Sequence, residues 1–308
     1  MKKMNLVFIL LAMMVLAACS MEAPGSSSED SSGGSGEKAG DYKIGFSVST
    51  LNNPFFVTLS EGAEAKAKEL GAKLSVVDAQ DNASKQASDV EDLIQQGVDM
   101  IMINPVDSEA VAAAVESANS ANIPVITVDR SSAGGEVVSH IASDNIAGGE
   151  MAGEHLLSLV GEDALVAELE GVPGSSAARE RGEGFNNVAK DSMEVAAKQT
   201  ANFNRSEGLS VMENILQANP DIKGVFAHND EMALGALEAI EASGKDIIVV
   251  GFDATDDAAK AVKDGRLAGT IAQKPKMIGE KALETAVQSL KGEKVEASIP
   301  VELELIKE

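Results

Sequence analysis

The chain has 308 residues, of which 44% are hydrophobic, and this length exceeds what one compact core usually covers, so two globular domains are expected. Its 25 basic and 49 acidic residues give a formal net charge of -24, which argues against a nucleic-acid partner because phosphate backbones are bound by clustered Lys and Arg. A single Cys excludes an intramolecular disulfide. Stability is therefore expected to come from packing.

The first 40 residues differ in composition from the rest. Met1-Lys2-Lys3 supplies a basic start and Leu6 to Ala18 an apolar run too short for a spanning helix, so residues 1–18 are predicted to be a signal peptide. Leu16-Ala17-Ala18-Cys19 resembles the bacterial lipobox, whose cysteine is lipidated; an incidental cysteine is the alternative. The Ser- and Gly-rich composition of residues 19–40 predicts a flexible tether. We expect an exported protein, lipid-anchored to the outer face of the cytoplasmic membrane, which is the periplasmic side where an outer membrane exists.

From Tyr42 onward, short Val- and Ile-rich runs alternate with Ala-rich segments of helical periodicity, which indicates βα units in parallel sheets. The predicted strands lie near 43–48, 73–77, 99–103, 124–128, 137–142, 164–169, 194–199, 222–227, 246–251, 267–272 and 300–306. The residues expected at or before helix starts are Pro54, Pro105 and Pro275, and those expected as left-handed caps after helices are Gly71, Gly97, Gly244 and Gly265.

Eleven strands would make a wide single sheet, so two sheets are expected. A new run of βα units begins after Ser143-Asp144. The predicted fold class is α/β, with two similar doubly wound parallel-sheet domains. In such sheets ligands bind outside the carboxyl ends of the strands, so two facing domains would hold a ligand in one cleft.

Polar and aromatic residues cluster near the ends of the predicted strands. Carboxylates, amides and guanidinium groups each present two coplanar hydrogen-bonding atoms, so they can bind two adjacent hydroxyls of a sugar. Aromatic rings pack on the C–H faces of a sugar. The combination therefore predicts a sugar site. Its candidate residues are Asn53, Phe55, Phe56, Asn104, Asp129, Arg130, Arg181, Phe203, Asn229, Phe252, Asp253 and Gln273.

Several of these residues also have a purely structural interpretation. Asn53-Pro54 and Asn104-Pro105 are common turn and helix-entry signals, and Asp129-Arg130 could be a structural ion pair. Phe55-Phe56 could belong to the core, although adjacent helical residues point about 100° apart. Asp230 is predicted to be the N-cap of the helix that follows it.

Enzyme chemistry finds little support in the sequence. His140, His155 and His228 lack metal-ligand spacing, and the lone Cys19 is assigned to lipidation. A nucleophile elbow, a Walker loop and a dinucleotide-binding glycine motif after a strand are all missing from the sequence. We therefore expect a protein that is not an enzyme and has no cofactor or metal.

The segments that carry these residues resemble the D-ribose-binding proteins of bacterial ABC importers, within the pentose and hexose branch of the type I periplasmic binding proteins. The likeness runs from about Asp41 to the carboxyl end and rests on these segments: 49–56, 103–105, 123–130, 137–145, 176–185, 229–236 and 250–253. It implies two domains that close on a sugar by hinge motion. The implied crossovers lie near Ser143-Asp144, Gln273-Lys274 and Glu302-Leu303, and the implied domains are 41–143 plus 274–302 and 144–273 plus 303–308.

The resemblance implies D-ribose as the ligand and all twelve candidates as its contacts. Phe55, Phe56 and Phe203 would face the sugar ring, with Phe252 completing an apolar wall. The hydroxyls would be bound by Asp129, Arg130, Arg181, Asn229 and Asp253, helped by Asn53, Asn104 and Gln273. The implied partners are a membrane permease and, through it, a cytoplasmic ATPase, and we expect a monomer.

Two other functions remain open at this point. The fold also serves as the effector domain of sugar-responsive repressors, but a DNA-binding helix-turn-helix would have to precede it, and the signal with its lipobox stands there instead. A receptor for another pentose, hexose or furanose signalling molecule, acting through a chemoreceptor or a sensor, is the alternative to import.

Overall fold

The computed structural model describes residues 42–307. The predicted signal peptide, lipidated Cys19 and tether lie outside the described residues. Within 42–307, no helix combines the length and the apolar character needed to cross a membrane.

The described part of the chain alternates strands and helices from end to end. The strands are β1 (Lys43–Val48), β2 (Lys73–Asp78), β3 (Met100–Ile103), β4 (Val125–Val128), β5 (Ser139–Ser143), β6 (Ala164–Glu170), β7 (Met193–Thr200), β8 (Gly224–Ala227), β9 (Ile248–Asp253), β10 (Gly269–Ala272), β11 (Ser298–Val301) and β12 (Glu304–Ile306). The helices are α1 (Pro54–Leu70), α2 (Ala83–Gln95), α3 (Ala112–Ser120), α4 (Asn145–Val160), α5 (Ser176–Ala189), α6 (Arg205–Ala218), α7 (Asp230–Ser243), α8 (Asp256–Lys263) and α9 (Pro275–Leu290).

These strands form two six-stranded sheets. The first has the order β11-β5-β4-β3-β1-β2 and is parallel throughout. The second has the order β12-β10-β9-β8-β6-β7, and only its edge strand β12 is antiparallel to its neighbour. The predicted α/β class with two doubly wound sheets is confirmed.

The prediction of one last strand over 300–306 is wrong. Ser298–Val301 pairs with β5 in the first sheet, whereas Glu304–Ile306 pairs with β10 in the second. Both pieces are extended, so side-chain alternation alone cannot reveal that the pairing partner changes at Glu302-Leu303. The chain passes between the sheets here and at two other places, between β5 and α4 and between β10 and α9.

Each sheet is covered by helices on both faces, which explains why its central strands are apolar on both sides. In the first sheet α1 and α9 pack on one face and α2 and α3 on the other. In the second sheet α4 and α5 cover one face and α6, α7 and α8 the opposite one. Alternate residues of one strand therefore serve different cores: Phe226 packs towards α4 and α5, while Val225 packs towards α7.

Local signals set most helix ends as expected. Pro54 and Pro275 occupy the first positions of α1 and α9, where a missing N–H costs nothing. Pro105 does not start a helix directly, because α3 begins only at Ala112. The four glycines predicted to end helices all adopt positive φ: Gly71, Gly97, Gly244 and Gly265.

Asp230 is not the N-cap of α7, contrary to the prediction. Asn229 takes that role, because its Oδ1 accepts a hydrogen bond from Met232 N at 3.0 Å. Asp230 is instead the first helical residue, fully buried, and its carboxylate binds Thr255 and Thr270. Two adjacent residues of equal capping propensity cannot be ranked by propensity alone.

Candidate ligand-binding cleft

The carboxyl ends of strands from both sheets meet at a cavity whose empty space, including space open to solvent, is about 230 Å³. Ten of the twelve predicted site residues line it: Asn53, Phe55, Phe56, Asp129, Arg130, Arg181, Phe203, Asn229, Asp253 and Gln273. Asn104 and Phe252 lie behind this lining and are fully buried. Ala177 also lines the cavity and was not predicted, since an alanine in a helix carries no chemical signature.

The start of α1 brings an amide and two rings to the cavity. Asn53 caps the helix, its Oδ1 accepting from Phe55 N at 2.9 Å. The rings of Phe55 and Phe56 pack edge to face, with centroids 5.2 Å apart and planes at 89°. Both rings belong to the core of the first sheet and both line the cavity, so the structural interpretation is confirmed and contact with a sugar stays a prediction.

Asn104 connects three strand ends of the first sheet. Its Oδ1 accepts from Ser49 N at 3.1 Å, and its Nδ2 donates to Val128 O at 3.0 Å. The same Nδ2 lies 3.4 Å from Asp129 Oδ2. Asn104 therefore orients a carboxylate that faces the cavity, while its own amide is already occupied by the protein.

Asp129 and Arg130 follow β4, with φ of 64° at Asp129. Their closest charged atoms, Arg130 Nε and Asp129 Oδ2, are 3.8 Å apart, which is too far for a hydrogen bond. Arg130 Nη1 donates to Pro105 O at 3.2 Å. Within the described residues, Arg130 Nε is buried and has no hydrogen-bond acceptor.

Arg181 on α5 is held on several sides. Nε donates to Asn145 Oδ1 at 2.9 Å, and Nη1 donates to His228 O at 2.7 Å. The guanidinium carbon lies 3.9 Å from the centre of the Phe252 ring, in a cation–π contact. Phe252 thus supports Arg181 from behind.

Phe203 lies between the two guanidinium groups of the site. Its ring centre is 5.2 Å from the guanidinium carbon of Arg130 and 5.8 Å from that of Arg181. The backbone has φ of 58°, which is rare for a bulky residue and is typically retained where function requires it. Gly171 makes room for the ring, because a Cβ there would lie 2.1 Å from Phe203 Cζ.

Asn229, Asp253 and Gln273 complete the second-sheet side. Asn229 Nδ2 donates to Phe203 O at 3.2 Å, so this cap also fixes the Phe203 turn. Gln273 Nε2 donates to Asp253 Oδ1 at 2.9 Å, and the same carboxylate oxygen lies 3.8 Å from Arg181 Nη1. Gln273 Oε1 is buried with no donor among the described residues.

Burial dominates the electrostatics of the cavity. It raises the pKa of Asp129, against the opposing pull of Arg130 and Arg181, and it raises the pKa of Asp253 well above its usual range. Burial likewise lowers the pKa of Arg130. Loss of solvation therefore disfavours the charged form of each of these three groups. Within residues 42–307, no acidic, His or Cys cluster is arranged to hold a metal ion.

The two α/β units touch directly beside the cavity. Ser108 N donates to Gly174 O at 2.9 Å, and Ser131 N donates to Ser176 Oγ at 2.9 Å. Loops that follow β3 and β4 are thereby joined to the loop and first turn of α5. The cleft is closed in this structure.

Sequence reasoning missed three residues that support the site without lining it. Asn145 holds Arg181, and His228 provides the backbone carbonyl that Arg181 binds. Glu168, in turn, binds the His228 ring. Glu168 could have been noticed in the sequence, because it is a charged residue within a strand. Its neighbours on both sides, Ala167 and Leu169, are buried and apolar.

A family model described as periplasmic binding protein domain matches residues 44–294. The chain belongs to the periplasmic binding protein family. The ribose import binding protein of Bacillus subtilis is 54% identical over 305 residues, covering 99% of each chain. The ribose import binding protein of Escherichia coli is 56% identical over 265 residues, covering 85% of this chain and 90% of that protein.

A solved periplasmic binding protein has the same fold. The ABC transporter periplasmic solute binding protein of Actinobacillus succinogenes with bound D-allose aligns with a TM-score of 0.81 at 32% identity, covering 87% of this chain and 98% of that one. All three of these relatives are named as binding components of transport systems and not as enzymes.

Proposed function

We propose that the protein captures D-ribose in the closed cleft and delivers it to the permease of an ABC transporter. One observation carries the proposal: carboxylates, guanidinium groups and aromatic rings from both domains converge on one small buried cavity. Relatives above 50% identity are ribose import binding proteins, which supports ribose as the sugar.

The chemistry of the cavity suits a monosaccharide, because its lining combines carboxylates, guanidinium groups, amides and aromatic rings. Asp129 and Asp253 accept hydrogen bonds from hydroxyls, while Arg130 and Arg181 donate to sugar oxygens. Phe55, Phe56 and Phe203 cover the apolar C–H surface of the ring. All twelve predicted residues thus act together, with Asn104 and Phe252 positioning the others.

Closure and binding are coupled because the ligand groups come from both domains. Without a sugar, closing would bury Asp129, Asp253 and Arg130, whose charged forms are disfavoured by burial, and it would leave Arg130 Nε without an acceptor among the described residues, which is unfavourable. Sugar hydroxyls offset that cost, so ligand shifts the population towards the closed form. The moving parts are the segments 41–143 plus 274–302 and 144–273 plus 303–308, hinged at the three crossings. The protein performs no covalent chemistry on the sugar.

The amino-terminal segment fits delivery at a membrane. Lipidation of Cys19 would anchor the protein outside the cytoplasmic membrane, and residues 19–40 would let the folded part reach the permease as a monomer. The closed form could be recognised by a chemoreceptor as well. Replacing Cys19 by Ser should release the protein from the membrane fraction; unchanged fractionation would contradict the anchor.

Uptake of radiolabelled D-ribose by cells that lack this gene tests the proposal. We expect uptake from dilute ribose to fall to background and to return with the wild-type gene, but not with an Arg130→Ala gene. Normal ribose uptake in the deletion strain, together with lost uptake of another sugar, would assign the protein to that sugar instead.

A further inference from the structure

A buried carboxylate–imidazole pair lies next to Arg181, and neither residue lines the cavity. Glu168 on β6 and His228 after β8 both have 0% exposed side chains. His228 Nε2 and Glu168 Oε1 are 2.9 Å apart. Ionisable groups are costly to bury unless they are hydrogen-bonded, so the pair must be well supported by its surroundings.

The surroundings define the protonation state of His228. Gly171 N lies 3.4 Å from His228 Nδ1, and a backbone N–H can only donate, so Nδ1 accepts and the ring proton is on Nε2. His228 is therefore neutral and donates from Nε2 to Glu168. Burial lowers the pKa of His228, in agreement with a neutral ring. Burial pushes the pKa of Glu168 upwards, but the hydrogen bonds from His228 and Asn186 and the charge of Lys198 outweigh it, so that the net effect lowers the pKa.

Glu168 also binds the helix that carries Arg181. Its Oε2 accepts from Asn186 Nδ2 at 3.0 Å, and Asn186 and Arg181 both belong to α5. Gly182 leaves space for this arrangement, since a Cβ there would lie 3.0 Å from Glu168 Oε1 and 3.2 Å from His228 Cε1. Lys198 Nζ, partly exposed, approaches Glu168 Oε2 at 3.3 Å. One carboxylate thus joins β6, β7, α5 and the end of β8.

The Glu168–His228 pair fixes the position of the His228 backbone carbonyl. Both ring nitrogens of His228 are fixed, and its backbone N donates to Leu169 O at 3.0 Å. The His228 carbonyl then accepts from Arg181 Nη1 at 2.7 Å, and the next residue, Asn229, lines the cavity. A displaced ring would move the carbonyl and, with it, the guanidinium.

We propose that Glu168 and His228 are positioning residues that hold the His228 carbonyl against Arg181 and thereby set the guanidinium for sugar binding. This inference rests on the proposed function, in which Arg181 contacts the ligand. It adds two residues to the binding machinery: Glu168, which lies inside β6, and His228, which follows β8 but does not line the cavity.

Affinity measurements on matched histidine variants test the inference. His228→Leu removes both ring hydrogen bonds and should weaken D-ribose binding about tenfold in calorimetry. His228→Gln restores a donor close to the position of Nε2 and should bind within about threefold of wild type. The control is His155→Leu: His155 is buried in the same domain and its Nε2 lies 3.0 Å from Ala268 O, away from Arg181. This control should lower the melting temperature but leave the affinity unchanged.

Wild-type affinity in folded His228→Leu, or an equal loss in His155→Leu, would overturn the positioning role. Glu168→Met, which removes the acceptor and leaves the ring, gives the same test if His228→Leu does not fold. A ribose-independent readout is the ¹⁵N spectrum of the sugar-free protein, where His228 should carry its proton on Nε2 and the Arg181 Nε–H resonance should shift in the His228 variants. If the wild-type protein does not bind D-ribose, ribose is not its ligand. If the Arg181 Nε–H resonance does not shift in the His228 variants, the positioning role itself is rejected.

Discussion

The two arginines of the cleft are held in different ways. Arg181, in the second-sheet half, donates to Asn145 and His228, and its guanidinium carbon lies 3.9 Å from the centre of the Phe252 ring. Arg130, in the first-sheet half, makes one hydrogen bond, to Pro105 O at 3.2 Å, and its Nε has no acceptor within the described residues. The second half is therefore organised by its own domain, whereas the first half keeps donor capacity for a ligand.

The two halves are therefore expected to contribute differently to closure. A half whose guanidinium is already fixed loses little side-chain freedom when a sugar arrives. The first-sheet half gains the missing hydrogen bonds of Arg130 only from the ligand. Its stability should therefore depend most strongly on whether the cleft holds a ligand.

The largest expected effect is that of Arg130→Ala on affinity. Removing this guanidinium takes away the nearby positive charge of Asp129 and leaves sugar oxygens without a donor in a buried site, which should cost about 2–5 kcal/mol of binding free energy. Calorimetry with D-ribose measures the loss. Arg266→Ala, at an exposed pair with Glu241, is the matched control and should bind normally. Near-wild-type affinity of Arg130→Ala would remove the distinction between the two halves.

The second half should also carry a pH signature through Asp230. Burial raises the pKa of Asp230 to about 7, so the folded protein retains a proton that the unfolded chain releases near pH 4. The unfolded state then binds fewer protons between about pH 4 and 7, and stability should fall as pH rises through that window, by about 4 kcal/mol. Asp230→Asn should flatten this slope in denaturant titrations at a series of pH values. A slope identical to that of wild type would show that another group titrates.

Arg181→Ala should differ from Arg130→Ala by its effect on folding. It leaves the His228 carbonyl and the Asn145 amide oxygen without a donor, which should lower the free energy of unfolding by about 1–3 kcal/mol in the absence of sugar. Arg130→Ala should change sugar-free stability by less than that. Urea unfolding of both variants gives the comparison, and equal losses would mean that both halves are equally organised.

The smallest effect is expected at the crossings. Lys274 Nζ and Glu302 Oε2 are 3.3 Å apart and exposed, and they link the second and third passages between the sheets. Exposed ion pairs contribute little, so Lys274→Ala should change ribose affinity by less than about 0.5 kcal/mol. A larger loss in calorimetry would show that this pair, and not only the ligand, sets the closed population.

Much of the cleft follows from one rule about parallel sheets. Ligands bind at the carboxyl ends of such strands, and this rule predicted most of the residues that line the cavity or lie directly behind it, whereas Arg181 lies within α5 and was predicted from its helix-like segment. Their contacts with a sugar remain a prediction. The resemblance to sugar-binding proteins then located the passages between the sheets, which periodicity shows only at Ser143-Asp144.

Other features depend on contacts that no local pattern contains. Asn229 and Asp230 cap helices equally well, and only the fold shows that Asp230 faces Thr270 from 40 residues away. Glu168 and His228 are 60 residues apart, so their pairing is invisible in any window of sequence. The β11–β12 break was missed for the same reason, since strand pairing is a long-range property.

Isothermal titration of the protein with D-ribose, run beside D-allose, D-xylose, D-galactose and a signalling furanose, tests whether the cleft binds ribose. We expect tight one-to-one binding of D-ribose, with weak or absent heats for the other sugars. No heat with D-ribose and a clear one-to-one isotherm with a different sugar would contradict this expectation.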